Sequence, residues 1–315
     1  MKLDWIIIFV TFIFLFLFLA AFKINAAFSK FSFYLYYLPF LVIFGFLFDF
    51  LRYLPWRYVA SRFKIKSSIN EFLTMLIFYG FQIVPLGINS FLFINYSSTI
   101  KSIKRHSASI STALIIPSFL SIVFLAILFS FIVEPTYTFY FLAILAIFYS
   151  AFSILGLKEI WNKLIFFIDS LYNSKHFKNK KIINFIKNYL KDQKNLRNLL
   201  SQKKLLITII LYFPSLIIEG SLLFLSAKSF GINMGILTSL FIFFSSNTIG
   251  LLSFSPMGLG AMDIVSISMM EGILQIPGAE AVAIQALFRI FNLVLPLIIS
   301  YGALPLYKRS NTYKK

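Results

Sequence analysis

The chain has 315 residues, of which 59% are hydrophobic and 13% are charged, and 41 residues are phenylalanine. Water-soluble domains carry about 25% charged residues, so this composition excludes an ordinary soluble protein. The formal net charge of +18 comes from basic residues that flank apolar runs. This distribution is typical of membrane topology signals and of contact with anionic lipid head groups, and it argues against nucleic-acid binding.

Apolar runs of about 20 residues alternate with short polar stretches, which predicts an all-α polytopic membrane protein. We interpret residues 1–315 as a single transmembrane domain. The first run, 5–22, is longer than the core of a signal peptide and is predicted to be a retained helix. Basic stretches at 52–70 and 101–105 are predicted to be loops. Further spans are predicted at 33–51, 111–133, 139–157 and 205–227.

The third apolar run, 72–94, contains a break formed by Pro85 and Gly87, followed by Asn89. Basic residues flank this run on both sides, so the charge rule places both flanks in the cytoplasm. A re-entrant hairpin satisfies that rule, and a kinked full span is the alternative. With the hairpin, both chain termini are predicted to be cytoplasmic.

Residues 158–204 form the longest hydrophilic region of the chain. Apolar residues recur there at three- and four-residue spacing opposite lysine-rich faces, which predicts two amphipathic helices on the cytoplasmic membrane surface. These helices either dock onto anionic lipid or serve only as a basic connector.

Motifs for catalysis are lacking in the sequence. Cysteine is absent, and the two histidines, His106 and His176, lie in basic stretches with no partners at metal-ligand spacing. We find no nucleophile elbow and no phosphate-binding loop. The expectation is therefore no enzymatic activity, no metal site and no cofactor.

Five charged residues fall in or near predicted spans, where charge is costly. Asp49 is close enough to a span end to reach the head groups. Glu219 lies near the middle of its span and needs a partner or a cavity. Glu271 follows Asp263 by eight residues and is predicted to share roughly the same helix face. Arg289 lies near the middle of the last apolar run and is predicted to face the protein interior.

A glycine-rich break precedes Asp263. Pro256 ends the incoming helix, and Gly258 and Gly260 permit positive φ angles. A new helix is predicted to start near residue 261 with its free N–H groups aimed at the break, a ready anion site. Asp263 either locks Arg289 permanently or releases it to bind a lipid phosphate.

These residues resemble a known pattern: Pro256-Met257-Gly258-Leu259-Gly260-Ala261-Met262-Asp263, then Pro277-Gly278, Ala279 to Ala286, Arg289 and Pro296. The pattern is similar to the transmembrane, flippase-like region of the lysylphosphatidylglycerol synthase family. That family usually has glycine at the position of Met257 and glutamate at that of Asp263. It also has an acidic residue after the first break, which is lacking beside Pro85 and Gly87.

The resemblance implies lipid handling rather than lipid synthesis, because no soluble aminoacyl-transfer or glycosyltransferase segment is present. The leading hypothesis is translocation of a phospholipid or lipid-linked head group between leaflets of the cell membrane, with anionic membrane lipids as partners. One alternative is a proton-coupled secondary transporter of a small anion that uses Glu219 or Asp263. Another is a non-catalytic membrane partner of a separate glycosyltransferase or synthase.

Overall fold

The computed structural model describes residues 36–62, 65, 67–80, 101–155, 202–253, 258 and 260–312. Within those ranges the chain is helical and contains no β-strand, which confirms the all-α prediction. Four helical stretches in the described ranges are long and apolar enough to cross a membrane, by length and composition. Two of them run through more than one of the helices named below. These candidate spans are Leu38–Arg62, Ile116–Val133, Lys203–Ser229 and Gly278–Ala303.

We name the helices in chain order over the described residues. They are α1 (Leu38–Leu51), α2 (Tyr53–Arg62), α3 (Ile69–Gly80), α4 (Lys101–Val133), α5 (Thr138–Leu155), α6 (Gln202–Ser229), α7 (Ile236–Leu252), α8 (Ala261–Leu274), α9 (Gly278–Arg289) and α10 (Leu295–Thr312). A 3₁₀ turn at Pro135–Tyr137 joins α4 to α5, and a π-helical turn at Ile290–Val294 joins α9 to α10.

Helix α7 packs against α4, α6 and α8. Its phenylalanines fill the core. Phe244 stacks on Phe129 of α4, with ring centroids 5.6 Å apart, and Phe243 meets Phe288 of α9 edge to face. Other helices turn large apolar side chains outward, including Ile43 of α1. Such exposure is expected where hydrocarbon, not water, surrounds the protein.

Serine side chains next to prolines form hydrogen bonds between neighbouring helices. Pro117 lies inside α4, and Ser121 directs its hydroxyl at the carbonyl oxygens of Pro117 (2.5 Å) and of Ile209 in α6 (3.1 Å). Ser300 of α10 likewise reaches the carbonyl oxygen of Leu76 in α3. Each hydroxyl thus reaches the carbonyl of a proline in its own helix and a carbonyl of a neighbouring helix, so it ties the two helices together.

Two basic stretches that were predicted to be loops contain helix in the structure, the first from Tyr53 to Arg62 and the second throughout. In the stretch 52–70, α2 continues the second span nearly without interruption, because Trp56 and Val59 face the core while Arg62 stays exposed. This amphipathic arrangement lets a helix carry several arginines. In the stretch 101–105, the backbone already belongs to α4, since neither glycine nor proline interrupts the chain there.

Three sequence predictions concern residues outside the described ranges. They are the first span at 5–22, the break at Pro85, Gly87 and Asn89, and the amphipathic connector at 158–204 except for its last three residues, which already belong to α6.

Candidate functional site

The predicted break lies between α7 and α8. Helix α7 ends at Leu252, and α8 begins at Ala261, at the position that the sequence predicts. Gly258 and Gly260 have φ angles of +69° and +83°, a region that residues with a side chain rarely enter. Pro256 lies outside the described residues. The glycines therefore allow the chain to reverse and start a new helix.

The chain returns closely against the helix that it has just left. A Cβ atom placed on Gly258 would lie 3.2 Å from the Cβ of Met262 and 3.3 Å from the Cα of Gly250. Only residues without side chains permit this approach of two backbones.

Asp263, in the first turn of α8, gathers three hydrogen-bond donors. Its Oδ2 atom accepts from the backbone N–H of Gly260 at 3.0 Å. Its Oδ1 atom accepts from Arg289 Nε at 2.6 Å and from Gln285 Nε2 at 2.7 Å, and Ser266 donates to Gln285 Oε1 at 2.9 Å. Asp263 thus caps its own helix and binds α9 at once, so the predicted Asp263–Arg289 contact is present.

Arg289 is 3% exposed and lies deep in the candidate span Gly278–Ala303. Its Nε atom is paired with Asp263, yet its buried Nη2 atom has no hydrogen-bond partner among the described residues. A buried guanidinium donor normally finds an acceptor. Within the described part of the site, this cationic N–H group is therefore left for one more acceptor.

A π-helical turn follows Arg289 directly and positions Asn292, whose amide donates to Glu219 Oε1 of α6 at 2.6 Å. Single π-helical turns inside α-helices are frequent at functional sites. The turn links the Asp263–Arg289 pair to a second buried cluster that includes Glu219.

That second cluster has Arg52 at its centre. The guanidinium Nη2 lies 3.7 Å from Glu219 Oε2, and Nη1 lies 3.8 Å from Asp49 Oδ1. The guanidinium carbon also sits 3.7 Å from the ring centroid of Phe48 and 4.7 Å from that of Tyr79. Aromatic faces and two carboxylates together hold one arginine between α1, α3 and α6.

Comparison with known families agrees with this architecture. The family model described as the lysylphosphatidylglycerol synthase TM region matches residues 5–300. The chain belongs to this family. No curated protein and no solved structure gives a significant match. As a member of the lysylphosphatidylglycerol synthase TM-region family, the chain is a multi-pass membrane protein linked to lipid metabolism or transport.

This family member brings most of its described candidate residues together. Gly258, Gly260, Asp263 and Arg289 form one site, and Glu219 joins it through Asn292. Glu271 does not: its side chain is exposed, and it lies beside the start of α9 at Gly278. Eight residues at 100° each leave a rotation of about 80°, so the predicted shared face with Asp263 is wrong.

The sequence analysis did not identify Arg52 as a site residue and did not place Asp49 in a buried cluster. Asp49 was expected to reach the head groups, but it is buried at 4% exposure beside Arg52. Their spacing of three residues places both on one helix face, which is the signal that could have found the pair. Gln285 and Asn292, four residues before and three after Arg289, were equally detectable by their spacing.

We expect Gly258→Ala to destabilise this lysylphosphatidylglycerol synthase family member by roughly 1–3 kcal/mol, because the new side chain meets both a positive φ and a close backbone. Gly272→Ala is the matched control, since that glycine lies inside α8 and an added methyl group there would meet no atom within 4 Å. The control should be neutral or slightly stabilising. Thermal unfolding in detergent measures both, and equal shifts would contradict the strain argument.

Proposed function

We propose that the protein translocates a phospholipid or lipid-linked head group between the leaflets of the cell membrane. In this proposal Arg289 binds the phosphate of the head group, and Asp263 releases Arg289 as the phosphate enters. Both termini are proposed to face the cytoplasm. The orientation follows from the distribution of Lys and Arg residues.

One observation carries this proposal: a buried arginine at membrane depth keeps one N–H group without an acceptor among the described residues, directly beside a glycine break. Guanidinium groups bind phosphate through paired N–H donors. The start of α8 adds the positive end of a helix dipole to the same place. Membership in a family linked to lipid metabolism or transport supports lipid as the source of the phosphate.

The test uses the purified protein in phosphatidylcholine vesicles that contain phosphatidylglycerol. Fluorescent NBD-phosphatidylglycerol is added to the outer leaflet, and its movement inward is followed by protection from dithionite. Wild-type protein should move the probe, and Arg289→Ala should abolish the movement while the protein still inserts. Lys228→Ala is the control, because Lys228 is a partly exposed cation that contacts Asn233.

Loss of activity in Arg289→Ala could also follow from misfolding, because the substitution leaves Asp263 as an unpaired buried charge. The double variant Asp263→Asn/Arg289→Gln removes both charges and keeps polar partners in place. We expect it to fold and yet to leave the probe outside. Lipid movement at the wild-type rate in this folded variant would remove Arg289 from the mechanism. Uptake of free phosphate without lipid movement would favour the small-anion transporter.

A further inference from the structure

Arg52 faces two carboxylates at nearly equal distance and forms a close ion pair with neither. The separations are 3.7 Å to Glu219 and 3.8 Å to Asp49, both longer than a hydrogen bond. Arg289, by contrast, holds Asp263 at 2.6 Å. One guanidinium carries one positive charge, so it can neutralise only one of its two carboxylate neighbours.

Asp49 and Glu219 differ in how they are held. Glu219 accepts a hydrogen bond from Asn292 at 2.6 Å. Asp49 is 4% exposed, and neither of its oxygen atoms has a hydrogen-bond partner among the described residues. An ionised carboxylate without donors is costly in such a place, and binding a proton removes its charge.

In the wider network, too, carboxyl groups outnumber guanidinium groups. Over the described residues it contains three buried carboxyl groups, of Asp49, Glu219 and Asp263, and two guanidinium groups, of Arg52 and Arg289. Among the described residues, the phenol of Tyr79 also faces Asp49 and Glu219, and the phenol of Tyr212 lies next to Tyr79 and Arg52; neither phenol brings a positive charge. Arg289 also acts on Glu219 through space, so the two clusters form one electrostatic unit.

We propose that Asp49, Arg52 and Glu219 form a proton-binding site that couples lipid movement to a proton gradient. This inference rests on the proposed lipid translocation and assigns its driving ion. The proton enters from water on one side of the membrane and forms an O–H bond with a carboxylate oxygen of Asp49 or Glu219. That bond breaks when the proton leaves to water on the other side. No group is oxidised or reduced.

The sign of the coupling follows from the charges. A phosphodiester beside Arg289 adds one negative charge to a network that already has an excess carboxylate. Proton binding offsets that charge, so the proton and the anionic head group should each favour binding of the other. They therefore travel in the same direction. A proton moving with a singly charged anionic lipid carries no net charge, so a pH gradient alone can drive the movement.

The experiment uses wild-type protein in phosphatidylcholine vesicles that contain phosphatidylglycerol and a trace of NBD-phosphatidylglycerol in both leaflets. Valinomycin and equal potassium on both sides hold the membrane potential at zero. With the outside more acidic by about one pH unit, one-to-one coupling predicts that the dithionite-protected fraction rises from about one half to about nine tenths. An acidic interior should lower the fraction correspondingly.

A protected fraction that stays near one half under both gradients, while probe added outside still equilibrates, overturns the coupling and leaves translocation intact. If probe added outside is not moved at all, the proposed translocation fails and the coupling fails with it. These two outcomes separate the inference from the function on which it rests.

Asp49→Asn should keep the protected fraction near one half under either gradient. The asparagine side chain has nearly the shape of the aspartate side chain but lacks the carboxyl group that binds the proton. Glu134→Gln is the matched control, since Glu134 lies in the partly exposed turn between α4 and α5. The control should retain the full response. A full response in Asp49→Asn would contradict the assignment of Asp49, and the wild-type result still decides the coupling if that variant does not fold.

Discussion

Replacing Asp263 with alanine is expected to lower the free energy of unfolding by roughly 3–5 kcal/mol, because it leaves a buried arginine without its counter-ion. Arg289 loses its only close carboxylate among the described residues. Gln285 and the backbone N–H of Gly260 lose their acceptor as well. Each buried donor left without a partner adds its own cost.

The measurement is equilibrium unfolding in mixed detergent micelles. Glu134→Ala is the control, and it should change stability by less than about 0.5 kcal/mol, because its carboxylate lies in a partly exposed turn. The pair-neutral variant Asp263→Asn/Arg289→Gln should be clearly more stable than Asp263→Ala. If Asp263→Ala is as stable as Glu134→Ala, the Asp263–Arg289 pair is not the buried ion pair described above.

Replacing Arg52 with alanine is the second substitution with a large expected effect, also roughly 3–5 kcal/mol. Without the guanidinium, Glu219 and Asp49 face each other with no cation between them among the described residues. The contacts with the rings of Phe48 and Tyr79 are lost at the same time.

The chain provides a closely matched control for this substitution. Arg62 also lies over an aromatic ring, 4.9 Å from the centroid of Tyr58, but it is exposed. Arg62→Ala should therefore cost less than about 1 kcal/mol. Adding Asp49→Asn and Glu219→Gln to Arg52→Ala should recover much of the lost stability. Equal losses for Arg52→Ala and Arg62→Ala would contradict the buried cluster.

The Asp263–Arg289 site could be predicted because each of its parts is unusual in a membrane segment. A proline–glycine break, an acid within one turn and an arginine in the next apolar run each need a partner, and few partners are available. The break also fixes where α8 begins. These local signals explain why the position of Asp263 and its contact agree with the structure.

The Arg52 cluster was harder to predict because its arginine stands at the edge of a basic stretch. Positive residues at the end of an apolar run normally belong to a cytoplasmic loop. The sequence does not show that α2 extends the second span and that α6 brings Glu219 to the same depth. That contact depends on the packing of helices that are far apart in the chain.

The π-helical turn after Arg289 was not predicted, although Pro296 stands just beyond it in the sequence. Residues 290–294 are apolar apart from Asn292, and Pro296 lacks the N–H group that would bond to the Asn292 carbonyl in a regular α-helix. A proline can end, kink or widen a helix, so the sequence does not predict that the side chain of Asn292 reaches Glu219. Placing an uncharged polar residue such as Gln285 or Asn292 in a membrane costs less free energy than placing a charge there. Such residues therefore stand out less as candidate site residues in the sequence. They nevertheless complete both clusters.

The most direct test of the account is whether Arg289 approaches a lipid phosphate. Solid-state NMR can measure nitrogen-to-phosphorus distances for ¹⁵N-arginine protein in bilayers that contain phosphatidylglycerol. We predict a guanidinium nitrogen within about 4 Å of a lipid phosphorus, a signal lost in Arg289→Lys and strengthened in Asp263→Asn, which frees Arg289. The same signal in wild type and Arg289→Lys would show that Arg289 stays locked to Asp263 and binds no lipid.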